Sequence, residues 1–187
     1  MEKNIYEKPD SDLEDSEAIE VQTPEDDQDQ KLKGLGGWLI LVGFGVVAAP
    51  IRMLTQFVPV YMPIFSDGTF GALIDPDSDY YIPYFGAYIV GEIFCNAIIL
   101  LASIYLIYLF FSKHHLFPRL YILIVAGSLF FILLDAWVGM YFFPGDPFMD
   151  EAMARDFGRV LIGALIWIPY MLVSKRVKLT FVEHRPK

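Results

Sequence analysis

Four long apolar stretches alternate with polar segments along this chain, at about residues 36–61, 84–111, 120–143 and 157–174. A helical residue rises ~1.5 Å, so a run of ~20 crosses the ~30 Å hydrocarbon layer of a bilayer. The clearest run, from Ile82 to Phe111, contains a single acidic or basic residue, Glu92. Pro50 lies inside the first run and predicts a kink near it, with Arg52 two residues on. Glycines 36, 37, 43 and 45 keep one end of that helix thin enough for close helix approach. The third run carries Asp135 and stops at PGDP, residues 144–147. The last has only fourteen strictly apolar residues, VLIGALIWIPYMLV, so its helix is expected to begin near Asp150, with Arg155 and Arg159 snorkelling from the interface. Trp38, Tyr61, Trp167 and Tyr170 stand near run ends, the level that amphipathic rings favour. The pattern predicts an all-α, integral membrane four-helix bundle.

The polar segments complete the picture. Residues 1–30 hold twelve of the 23 acidic residues and few apolar ones, too little to offset the entropy of ordering. Residues 1–33 therefore read as a disordered acidic tail, 34–182 as the membrane domain and 183–187 as a short polar tail. The net charge of −9 belongs mostly to the first of these. A tail of this kind is a solvated leader or a docking arm for a basic partner. It lacks the basic stretch and apolar core of a signal peptide. Basic residues flank spans and form no broad face, which argues against nucleic acid.

Lysine and arginine distribute unevenly across the spans. Eleven of the fourteen lie in the amino-terminal tail, the 112–119 connection and the carboxyl end. The positive-inside rule then places both termini in the cytoplasm and the loops around Asp77 and Asp146 outside. Lys175, Arg176 and Lys178 form a basic anchor for lipid headgroups, or a plain stop-transfer signal.

Two segments, GLGGWLIL at 34–41 and WIPYMLVSKRVKLTFV at 167–182, resemble the opening and closing signatures of a family of small bacterial inner-membrane proteins catalogued as domain of unknown function 2569. The resemblance implies four helices in the bacterial inner membrane. It implies no activity, substrate or catalytic residue.

Candidate chemistry is sparse. Asp75, Asp77 and Asp79 have the spacing that opens a calcium loop, but Tyr80 and Gly86 occupy the positions that need glycine and glutamate. A solvated acidic turn fits better. Adjacent His114 and His115 would not share a helix face and have no third ligand nearby. Cys95 is alone, so no disulfide or cysteine cage forms. Neither GxSxG, HExxH nor a phosphate-cradling glycine loop occurs. No enzyme, metal or cofactor is expected.

What remains is charge inside the spans. Arg52 lies nine residues from Tyr61, Glu92 eight from Tyr84 and Asp135 eight from Phe143, so all three fall at one depth, roughly 12 to 14 Å below the outer edge at that rise. Arg159 is shallower, within reach of a long side chain. One helical turn on from Arg52 is Gln56, and one turn on from Glu92 is Asn96, while Ser128 lies two turns before Asp135. Isolated charges in lipid are costly, so a polar cluster of Arg52, Gln56, Glu92, Asn96, Asp135 and Arg159 is expected, with Arg52 paired to Glu92 or Asp135. Such a cluster is a clamp that fixes helix register, or a proton or ligand site. The corresponding functions are an accessory protein with a membrane-protein partner or a second copy, and a dimeric proton-coupled transporter with Glu92 as its protonatable carboxylate.

Overall fold

The structure, a computed structural model, describes residues 30 and 32–182. The expected tails at 1–33 and 183–187 fall almost wholly outside the described residues. From residue 32 onward the chain forms α1 (Trp38–Ser66), α2 (Thr69–Ile74), α3 (Phe85–Phe111), α4 (Phe117–Phe142), α5 (Glu151–Val173) and α6 (Lys175–Thr180), with no strand among the described residues. Of these, α1, α3, α4 and α5 are long and apolar enough to cross a membrane.

Helices form here because a backbone inside lipid must satisfy its own polar groups. α1 runs past the expected end near Tyr61, through Pro59 and Pro63, and closes only where the Asp67 N–H donates to the Pro63 carbonyl. Gly68, at φ 83°, then turns the chain into α2, which the loop reading of 62–81 does not anticipate. The Asp67 carboxylate accepts from the Thr69 N–H at 2.9 Å. Hydrogen bonds from the Thr69 side chain and backbone hold that carboxyl below the usual carboxylate range. α5 starts at its expected place: Asp150 is the N-cap, accepting from the Met153 N–H at 2.7 Å.

The spanning helices pack in sequence order, α1 on α3, α3 on α4 and α4 on α5. Two aromatic-rich cores hold the ends together. On the terminal side, Leu39, Leu109, Phe110, Phe117, Met171 and Phe181 are buried, with the Phe117 and Phe181 rings stacked at 4.5 Å. On the loop side, Tyr61, Phe85 and Ile89 are buried against Phe57, Tyr88 and Phe142. Gly43 is required where α1 meets α3, since a Cβ there would lie 2.8 Å from the Phe110 ring. α1 and α5, the outer members of the row, meet without a comparable seam.

The two family-like segments also meet. The Gly34 N–H donates to the Thr180 hydroxyl at 3.1 Å, and that hydroxyl donates to the Gly34 carbonyl at 3.2 Å. The Arg176 guanidinium covers Gly36, where a Cβ would lie 2.8 Å from its Nη1. α6 thus folds back over the start of α1, with the Arg176 side chain laid across Gly36.

Candidate functional site

The charged residues of the spans form two groups instead of one. On the loop side, the carboxylates are held by tyrosines. The Tyr88 hydroxyl donates to Asp135 Oδ1 at 3.0 Å, bridging α3 and α4. The Tyr61 hydroxyl lies near the Glu92 carboxylate, between α1 and α3. Asn96 donates at 3.0 Å to the Glu92 backbone carbonyl, so it serves its own helix and not the carboxylate. Tyr88 and Asp135 also line a vestibule of about 410 Å³ that reaches Asp146 and Asp150 at the loop surface.

The second group lies between α1 and α5. Asp156 accepts from Arg159 Nη1 at 2.5 Å on one oxygen and from Gln56 Nε2 at 2.8 Å on the other. The first of these bonds lies within α5; the second ties the loop-side halves of the two helices. Trp38 and Trp167, with ring centroids 6.4 Å apart, approach each other nearer the terminal side. A cavity of about 330 Å³ is lined by both Arg52 and Arg159, together with residues of all four spanning helices.

The expected pairing of Arg52 with Glu92 or Asp135 is not formed. Among the described residues the ion pairs are Arg155–Glu151 and Arg159–Asp156. The reason is depth: Tyr61 is the α1 residue beside Glu92, whereas Arg52, nine residues further along α1, lines a cavity with Ser103, Ile124 and Val125 instead, and Asp135 is held by Tyr88. Tyr61, expected at the headgroup level, is 8% exposed and turned inward instead.

Three residues of the site were not anticipated. Tyr88 is one turn before Glu92 and Asp156 three residues before Arg159, spacings that share a helix face. Tyr61 carries no such signal, because its partner is on another helix. Among the expected headgroup anchors, Lys175 and Lys178 are exposed, whereas Arg176 is half-buried over Gly36. His114 and His115 lie in the turn between α3 and α4, not on a helix, and their rings stack at 4.5 Å.

Four apolar helices whose membrane-level charged groups are gathered between helices define a multi-pass helical membrane protein. The chain belongs to the family described as "Protein of unknown function (DUF2569)", which matches residues 32–182. Neither curated proteins nor solved structures give a match.

Proposed function

We propose that the protein is a non-catalytic accessory component of the bacterial inner membrane, with both termini in the cytoplasm, acting on another membrane protein or on a second copy of itself. The observation that carries this reading is the Tyr88–Asp135 hydrogen bond across the seam of α3 and α4, with Tyr61 beside the half-buried Glu92 between α1 and α3. Such pairs fix the register of α1, α3 and α4, as a clamp does, and hydrogen bonding satisfies groups that lipid would otherwise strand. Orientation rests on the lysine and arginine count. Reporter fusions after Lys113 should read cytoplasmic and fusions at Asp77 and Asp146 external; the reverse pattern would invert the topology.

A second reading has one observation in its favour. The vestibule leading from Asp146 and Asp150 to Asp135 suits a proton-coupled transporter. Liposomes containing the purified protein and a pH-sensitive dye separate the two. An accessory protein gives no proton flux above empty liposomes, and the Glu92→Gln and Asp135→Asn variants still co-purify with a stoichiometric partner in native nanodiscs, since an amide oxygen can accept from tyrosine. Flux present in the wild type and lost in Glu92→Gln would establish the transporter instead.

A further inference from the structure

We propose that the cavity between α1 and α5 binds the anionic end of a single-chain membrane amphiphile, a carboxylate or phosphate held by Arg52 and Arg159. The site is separate from the tyrosine–carboxylate pairs, so it serves an accessory component and a transporter alike.

Arg52 sets the requirement. It lies fourteen residues from either end of α1, so at ~1.5 Å per residue both surfaces are farther away than its side chain can reach. Its guanidinium has no ion pair or hydrogen bond among the described residues. Arg159 spends one nitrogen on Asp156, leaving the rest of its donor fork available, and its side chain is 54% exposed. The two cations on this cavity thus meet one carboxylate. A planar guanidinium matches carboxylate and phosphate oxygens with two parallel hydrogen bonds, so an oxyanion supplies what the protein itself does not.

The remaining lining selects the other end of the ligand. Gly45, Ala48, Ala49 and Gly163 leave the cavity open, and at Gly45 a Cβ would meet nothing within 4 Å. Ser103 is already spent, its hydroxyl donating to the Ile99 carbonyl at 2.8 Å. Tyr121 apart, the remaining walls are therefore apolar, and a volume of about 330 Å³ suits part of a small ligand. A partner helix, ~10 to 12 Å across with its side chains, is too wide for it. A free inorganic anion would satisfy the arginines but leave the apolar walls without an occupant. An acyl chain can enter from the lipid where α1 and α5 lack a packed seam, with the Gln56–Asp156 hydrogen bond and the tryptophan pair above and below it.

The test uses the full chain, delipidated and reconstituted in phosphatidylcholine nanodiscs, with four probes: palmitate, lysophosphatidate of the same chain length, hexadecanol and inorganic phosphate. Saturable binding of one molecule of palmitate or lysophosphatidate per chain is expected. The tighter of the two identifies the headgroup class. Arg52→Met should weaken it at least tenfold, and Ala49→Phe, which fills the cavity without altering charge, should abolish it. Hexadecanol binding as tightly as palmitate would overturn the role of the arginines. Phosphate binding as tightly as lysophosphatidate would overturn the role of the chain. Undiminished binding in both variants, or no saturable binding of either acid, would overturn the site. So would an Arg52-dependent dimer that forms while neither acid binds.

Discussion

Arg52→Met is expected to raise the melting temperature of the delipidated protein. A charged arginine at the centre of a spanning helix costs about 2.5 to 3.5 kcal/mol on insertion scales. Part of that cost is already relieved by the cavity, so a gain of about 1 to 2 kcal/mol remains, or ~2 to 8 °C for a domain of this size. Methionine matches the aliphatic stem of the arginine, removes its charge and leaves no group unpaired. Thermal unfolding in detergent, with no amphiphile added, gives the sign directly. Were Arg52 the counter-ion of Glu92 or Asp135, the same substitution would strand a buried carboxylate and destabilise by ~3 to 5 kcal/mol. A fall in melting temperature of that size would restore the single four-charge cluster and remove the basis for an oxyanion at the cavity.

The gap between that expectation and the sequence reading shows what a linear pattern conveys. Span number and type were legible because the length and apolarity of a run depend on nothing outside it. The start of α5 at Asp150 was legible for a related reason: the apolar run is too short to span, and an N-cap residue stands where extra length is needed. The far end of α1 was not: the helix runs on through Pro59 and Pro63, each of which removes only one donor, a loss that surrounding helices tolerate in membranes. Depth along the helices did not follow from counting residues, because the count took Tyr61 for the outer end of α1, which runs on to Ser66. Azimuth did not follow either, since it depends on which helices neighbour which. That is why Glu92 and Asp135 were assigned to Arg52 when tyrosines already faced them, and why Tyr61, an aromatic near a run end, passed for an interfacial residue. Asp156 was not anticipated either, yet its Oδ2 joins α1 to α5 while its Oδ1 holds Arg159.

Gly43→Leu should have the largest destabilising effect of the packing changes. In an exposed helix interior, replacing glycine gains up to about 1 kcal/mol in propensity. Here the new Cβ alone would lie 2.8 Å from Phe110, a ring that is 3% exposed and packed against Phe117 and Phe181. Overfilling a site that cannot yield costs about 1 to 3 kcal/mol for added methylenes, and a leucine adds several. The net expectation is a loss of about 2 kcal/mol or more, seen as a lower melting temperature and easier proteolysis between α1 and α3. Phe110→Ala in the same chain should recover much of it by making room, a coupling that a double-mutant cycle resolves. Additive losses in the double variant would show that α1 and α3 do not touch at this point.

The bond between Gly34 and Thr180 also sets an order of events during biosynthesis. Its partners are 146 residues apart, so α1 emerges, inserts and waits through the synthesis of three further spans before its entry can be fastened. Until α6 is made, the backbone at Gly34 has only water or headgroups to bond with, and the glycines beneath Arg176 are uncovered. The closing segment thus supplies the last contact to form. A chain stalled or truncated before Thr180 can carry all four spanning helices and still leave its first one unfastened, the kind of feature by which membrane quality control tells an unfinished chain from a finished one.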